Sequence, residues 1–148
     1  MAPTLVTGDY ILVSPYRSRA RPDRGDVVVF RSGNSSHPFY VKRVIGLPGD
    51  YLQLRGGQIV LNGYTLPESY LMHKGTSGTL MPQIVPRDSY FVLGDNRQQS
   101  LDSRALGMVP LVAVVGKARV IYWSTSRQSS GRRGRGPIAW ERLLQRIQ

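Results

Sequence analysis

At 148 residues the chain has the length of one domain and can bury a core without staples, and its lack of cysteine excludes disulfides, thiol catalysis and thiolate metal sites. No apolar run approaches the ~18 residues needed to cross a bilayer. The net charge of +11, almost all of it arginine, fits a surface that works near anionic partners such as lipid headgroups; no aromatic-basic strand signature points to nucleic acid.

Short β-branched runs broken by proline and glycine predict an all-β fold. "YILV" (Tyr10–Val13) and "VVVF" (Val27–Phe30) read as strands, separated by the Pro- and Arg-rich loop "SPYRSRARPDRG". "FYVKRVI" (Phe39–Ile45) is a third strand, with Tyr40, Lys42 and Val44 on one face and Val41, Arg43 and Ile45 on the other. "LPGD" turns the chain into "YLQLRGGQIVLNG", where Gly56 and Gly57 signal a hairpin with a type I′ turn. Residues 64–85 read as irregular, with "HKGTSG" a flexible tip. "SYFVLGDN" is a strand ending in a polar turn, and "VVGKARVIYW" is another strand. "STSRQSSGRRGRG" (124–136) is low-complexity and basic. Beyond it Trp140, Leu143, Leu144 and Ile147 fall at i, i+3, i+4 and i+7, which predicts an amphipathic helix over about 137–148.

Two stretches stand out from the scaffold. Lys42 is one of three lysines and lies mid-strand among Tyr40, Val41, Val44 and Ile45. A desolvated lysine can lose its proton, whereas arginine cannot. Bringing it from about 10.4 toward neutrality takes ~3 units, or ~4 kcal/mol, which a mostly buried strand position can supply. The plain alternative is an edge lysine with a packed stem and a hydrated ammonium. The second stretch is "GDNRQQSLDSR", Gly94–Arg104, dense in small polar groups. It can be an Asx-rich turn that satisfies its own backbone, or a site in which Asp102 and Arg104 pair beside Ser100. His37 and His73 lack metal-ligand spacing, and no phosphate-binding glycine loop occurs.

Together these pieces resemble the bacterial type I signal peptidases, a family of Ser/Lys proteases. The likeness rests on "MAPTLVTGDYILV", "RGDVVVF", "YVKRVIGLPGD" and "GDNRQQSLDSR", and "GQIVLNG", "VPRDSYFVLGDN" and the closing "WER" follow as well. The resemblance covers nearly the whole chain. It implies a mainly β, antiparallel catalytic fold over 1–148, with a reduced β-hairpin insertion at about 51–85 and a short C-terminal helix.

The resemblance also assigns roles. Lys42 becomes the general base, Ser100 the residue that orients its amine, and Asp102 with Arg104 the pair that braces the site, while Asp95 helps hold the turn. Met1, Leu5, Tyr40, Val41 and Leu101 would line shallow pockets for the A-x-A-like end of a signal peptide, bound as an added strand along Tyr40–Lys42. The family's nucleophilic serine, its upstream oxyanion-hole residue and its membrane anchor would all precede Met1, so the 148 residues alone are expected not to cleave. Neither Thr4 nor Ser14 is expected to replace the serine, because a nucleophile must meet its base closely. Cofactors and metals are not expected. The implied partners are exported preproteins and an anionic membrane surface, with the domain a monomer on the outer face of the bacterial cytoplasmic membrane.

Three other readings compete. A conjugation-type maturation peptidase shares the motifs. The self-cleaving SOS-repressor domains share the first motif and a strand lysine but lack "GDNRxxSxDSR". A non-catalytic peptide- or nucleic-acid-binding relative would keep only the scaffold.

Overall fold

The computed structural model describes residues 1–17, 20–33, 35–71, 75–76, 80–125 and 138–147. Its strands in chain order are β1 (Asp9–Ser14), β2 (Val27–Arg31), β3 (Phe39–Gly46), β4 (Tyr51–Arg55), β5 (Gln58–Leu61) and β6 (Tyr64–Thr65), followed by β7 (Gln83–Ile84), β8 (Ser89–Leu93), β9 (Val109–Pro110), β10 (Val114–Ser124) and β11 (Gln145–Arg146). One short helix, α1 (Ser103–Leu106), follows the polar turn after β8. The tip expected at 73–78 lies outside the described residues except for Gly75 and Thr76. The basic segment at 124–136 does so except for Ser124 and Thr125.

Among the described residues every ladder is antiparallel. The larger sheet runs β1-β10-β2-β3-β8-β9, with β11 added on β10, and the smaller runs β6-β5-β4-β7. Alternation along β8 joins them. Tyr90 and Val92 pack with Val28, Phe30 and Val44 inside the larger sheet's own cluster. Phe91 and Leu93 point the other way and pack with Leu52, Ile59, Leu61 and Val85 around the smaller sheet. The smaller sheet is therefore stapled to the larger one through a shared apolar cluster. Its β4–β5 hairpin turns at Gly56 and Gly57, whose φ values of 55° and 77° are the left-handed backbone that a type I′ turn demands.

The chain's end differs from the amphipathic helix expected over 137–148. A single 3₁₀ turn at Trp140–Arg142 leads into β11, and Leu144 between them has a φ of 57°, which a helix excludes. The backbone takes this route because β10 runs on past the end of β2, leaving an edge to be paired. Leu144 N donates to Ile121 O at 2.8 Å and Ile147 N to Arg119 O at 3.0 Å. Of the four apolar residues at helical spacing, Ile147 is buried, whereas Trp140 and Leu144 face solvent.

Candidate active site

The ladder itself locates Lys42. It pairs with Val28 of β2 on one side of β3. On the other side β8 ends at Leu93, opposite Arg43, and the chain leaves the sheet at Gly94. The missing side chain of Gly94 makes room for the site. A Cβ there would stand 2.1 Å from Ser100 Oγ and 3.6 Å from Lys42 Nζ, so hydroxyl and amine converge over a bare Cα. Ser100 Oγ is buried and completes no hydrogen bond among the described residues, although it lies near enough to Asp102 to help hold that carboxyl's pKa down.

Lys42 is half-buried, makes no ion pair among the described residues, and has the Tyr40 ring centroid 5.8 Å from its nitrogen. Burial is the main cause that holds its amine below the ordinary 10.5. The Arg104 charge pushes the same way, while Asp102 and Asp95 oppose it. The Met1 amine is lowered too, first by burial and then by the charge of Lys42, so the two cations feel each other.

Asp102 organises the polar turn. Fully buried, it accepts from Arg104 Nε at 2.8 Å, Arg104 Nη2 at 2.9 Å and Gly94 N at 3.1 Å, and it caps α1. Burial alone would raise its pKa, but the Arg104 bonds and the Gly94 amide hold it below the ordinary range. Arg104 Nη2 also reaches Arg97 O at 2.8 Å, tying the turn's two ends together.

The opposite face of β3 carries a second network. Arg43 grips Asp95 with Nε at 2.9 Å and Nη2 at 2.7 Å, both side chains essentially buried, and reaches Gly25 O at 2.8 Å. Thr4 donates its hydroxyl to Asp95, which connects the chain's first residues to the same carboxylate. Arg97 extends the bracing to residues beside the smaller sheet through Glu68 and Thr76 Oγ1 at 2.7 Å, and ties them to the polar turn through Gly94 O at 3.1 Å. Sequence reading left Arg43, Arg97 and Glu68 without roles and weighed Thr4 only as a stand-in nucleophile. Arg97 and Glu68 lie 29 positions apart, and no local pattern links them.

The five residues expected to line substrate pockets divide. Met1 and Val41 pack against a cluster that includes Leu5, Val27 and Ile121. Tyr40 packs with Phe30 in the neighbouring cluster, ring centroids 6.0 Å apart. Leu101 stands exposed.

A family model described as "Signal peptidase, peptidase S26" matches residues 1–123. The chain belongs to the signal peptidase S26 family. Signal peptidase I of Leptolyngbya laminosa is 38% identical over 135 residues, which cover 86% of this chain and 66% of that protein. A probable signal peptidase I-2 of Synechocystis is also 38% identical, over 86% of this chain and 61% of its own length. The chain thus spans slightly less than two thirds of these relatives. Among solved structures, a signal peptidase I from Enterococcus faecalis is similar at a TM-score of 0.59 and 33% identity, covering 68% of this chain and 98% of that one. The S26 membership and the mainly antiparallel β architecture agree with the fold expected from the motifs.

Proposed function

We propose that the chain is the catalytic domain of a signal peptidase I-type serine endopeptidase, with Lys42 as the general base that removes signal peptides from exported preproteins. The observation that carries this reading is the half-buried Lys42 amine, without an ion pair among the described residues, converging with the buried Ser100 hydroxyl over Gly94 and near enough to the Met1 amine for their charges to interact. A serine immediately ahead of Met1 would stand beside that amine. Its Oγ attacks the scissile carbonyl while Lys42 takes the hydroxyl proton and later passes it to the leaving amine. In the second half Lys42 takes a proton from the water that attacks the acyl-enzyme carbonyl and returns it to the serine Oγ as the ester bond breaks. Ser100 fixes the amine's direction, and Asp102 with Arg104 keeps Ser100 in place.

Substrate geometry follows from an open edge. The pairing of β8 with β3 begins only at Arg43, so over residues 39–42 the second edge of β3 carries no strand among the described residues. An extended signal-peptide end adds there, its alternate side chains meeting the floor of Met1, Leu5 and Val41 and favouring small residues of the A-x-A type. Tyr40 and Leu101 would flank that floor.

The test places a serine ahead of Met1 and measures detergent-stimulated cleavage of a preprotein. The serine-bearing chain should cleave and its Lys42→Ala variant should not; residual turnover in the variant removes the base assignment.

Tyr10, Leu12, Tyr122, Trp123, Trp140 and Leu144 are exposed on β1, β10 and the closing segment, with Tyr10 against Tyr122. With the charge of +11, they support docking of the monomeric domain on anionic lipid at the outer face of the cytoplasmic membrane. Binding to anionic vesicles that weakens with added salt checks this.

A further inference from the structure

We infer that Arg142, near the far end of the chain, is a positioning residue that holds residues 1–5, and through them the nucleophile, against Lys42. The inference rests on the reading of the site just given and extends it to a residue far along the chain from the Lys42 strand and the Gly94–Arg104 turn.

No strand holds residues 1–8; a turn closed by Leu5 N donating to Met1 O at 3.1 Å gives the first five their shape. Thr4 is the point by which this turn is gripped from both sides. Its hydroxyl donates inward to Asp95, and its carbonyl accepts outward from Arg142 Nη2 at 3.0 Å. The same guanidinium donates to Asp9 from Nε at 2.9 Å and from Nη2 at 2.5 Å. Asp9 is almost fully enclosed and also accepts from Ser124 Oγ at 2.6 Å and Val6 N at 2.8 Å. Arg142 thus closes a ring from the chain's end, through Asp9 at the start of β1, to the carbonyl of Thr4.

The geometry is suited to arginine. A planar fork can hold a carboxylate bidentately while one nitrogen still reaches a carbonyl; a lysine ammonium in the same place supplies one charge with less reach. Leu5 and Ile147 bury themselves in one cluster, so packing reinforces the same attachment. Because proton transfer between nucleophile and base tolerates little displacement, slack in residues 1–5 shows in turnover more than in substrate binding.

Two measurements test this. In the 148-residue chain, amide hydrogen exchange is followed at Leu5 and Val6, with Val92 and Gly94 as controls in the polar turn's own network. Arg142→Ala should speed exchange at Leu5 and Val6 by roughly tenfold or more and leave the controls within about twofold. Unchanged Leu5 and Val6, or an equal rise at all four, overturns the inference, the second outcome marking general loosening.

In the chain bearing a serine ahead of Met1, Arg142→Ala should lower kcat by about 10- to 100-fold, with KM and the midpoint of the acid limb unmoved. Arg142→Lys should lose less, since it keeps one contact to Asp9. Equal losses in the two variants, or an effect on KM alone, would overturn it as well. If the serine-bearing parent is inert, the protease reading fails by itself, and the exchange measurement still decides whether Arg142 holds residues 1–5.

Discussion

Lys42 and Arg43 are neighbours on β3, and the pleat sends them to opposite faces with opposite fates. Arg43 is buried and held bidentately by Asp95, a charge fully paid for by its partner. Lys42 is half-buried with no ion pair among the described residues, so its charged form is penalised. A strand with both cations paired would be a scaffold. The alternation lets one position supply rigidity while the next keeps a proton that can leave.

Removing each cation breaks the comparison most sharply. Arg43→Ala strands a buried Asp95 and lets go of Thr4, and should cost about 3–5 kcal/mol of stability in denaturant titration. Lys42→Met keeps the volume and removes a charge that burial disfavours, so its melting temperature should hold or rise. In the serine-bearing chain the same change should reduce cleavage by at least about 10²-fold. A comparable loss of stability in both variants would mean that the two faces do not divide the work.

A second variant sharpens the contrast on the Lys42 side alone. Gly94→Ala places a methyl 2.1 Å from Ser100 Oγ, a distance at which something must move. Ser100 Cβ would stand 2.7 Å away as well, so turning the hydroxyl alone does not relieve the contact and the turn that carries Ser100 has to shift. Cleavage should fall by roughly tenfold or more and stability should drop with the displaced turn, while the Arg43–Asp95 pair on the other face survives. Wild-type turnover in Gly94→Ala would show that the position of the Ser100 hydroxyl does not matter.

Much of this was legible in the residues. Short apolar runs rich in β-branched or aromatic residues, "VVVF" and "SYFVL", identify β2 and β8, which are buried on both faces, and period two sorts the residues of "FYVKRVI" between the faces of β3. The double glycine identified the β4–β5 turn through its backbone requirement. Lys42 stood out because the chain uses arginine nearly everywhere else. What periodicity could not convey was competition for a free edge: Trp140, Leu143, Leu144 and Ile147 fit a helix, yet unpaired backbone on β10 drew the segment into β11. Nor could it convey partners distant in sequence. Asp95 reads as a turn former and Arg43 only as a residue on one face of β3, and the fold brings them together across 52 positions.

The smallest effect, and the one most specific to the electrostatics, is a shift in pH dependence. Activity should rise with pH as Lys42 loses its proton, with a midpoint below the ordinary 10.5 because burial destabilises the ammonium. Asp102 raises that pKa and Arg104 lowers it, so removing either charge moves the midpoint in a known direction. Asp102→Asn withdraws an anion and leaves Arg104 unbalanced, which lowers the midpoint. Arg104→Gln withdraws a cation and leaves Asp102 unbalanced, which raises it. Stability answers differently: Asp102, lowered from 3.8, contributes stability above that pH that is lost as pH falls through its folded value, and the Asn variant should lack this acid-sensitive part. Opposite displacements of the kcat/KM limb in the two variants would tie the titrating group to Lys42. A limb that moves the same way in both, or in neither, would assign it to another group and leave the pair as a brace without influence on the proton.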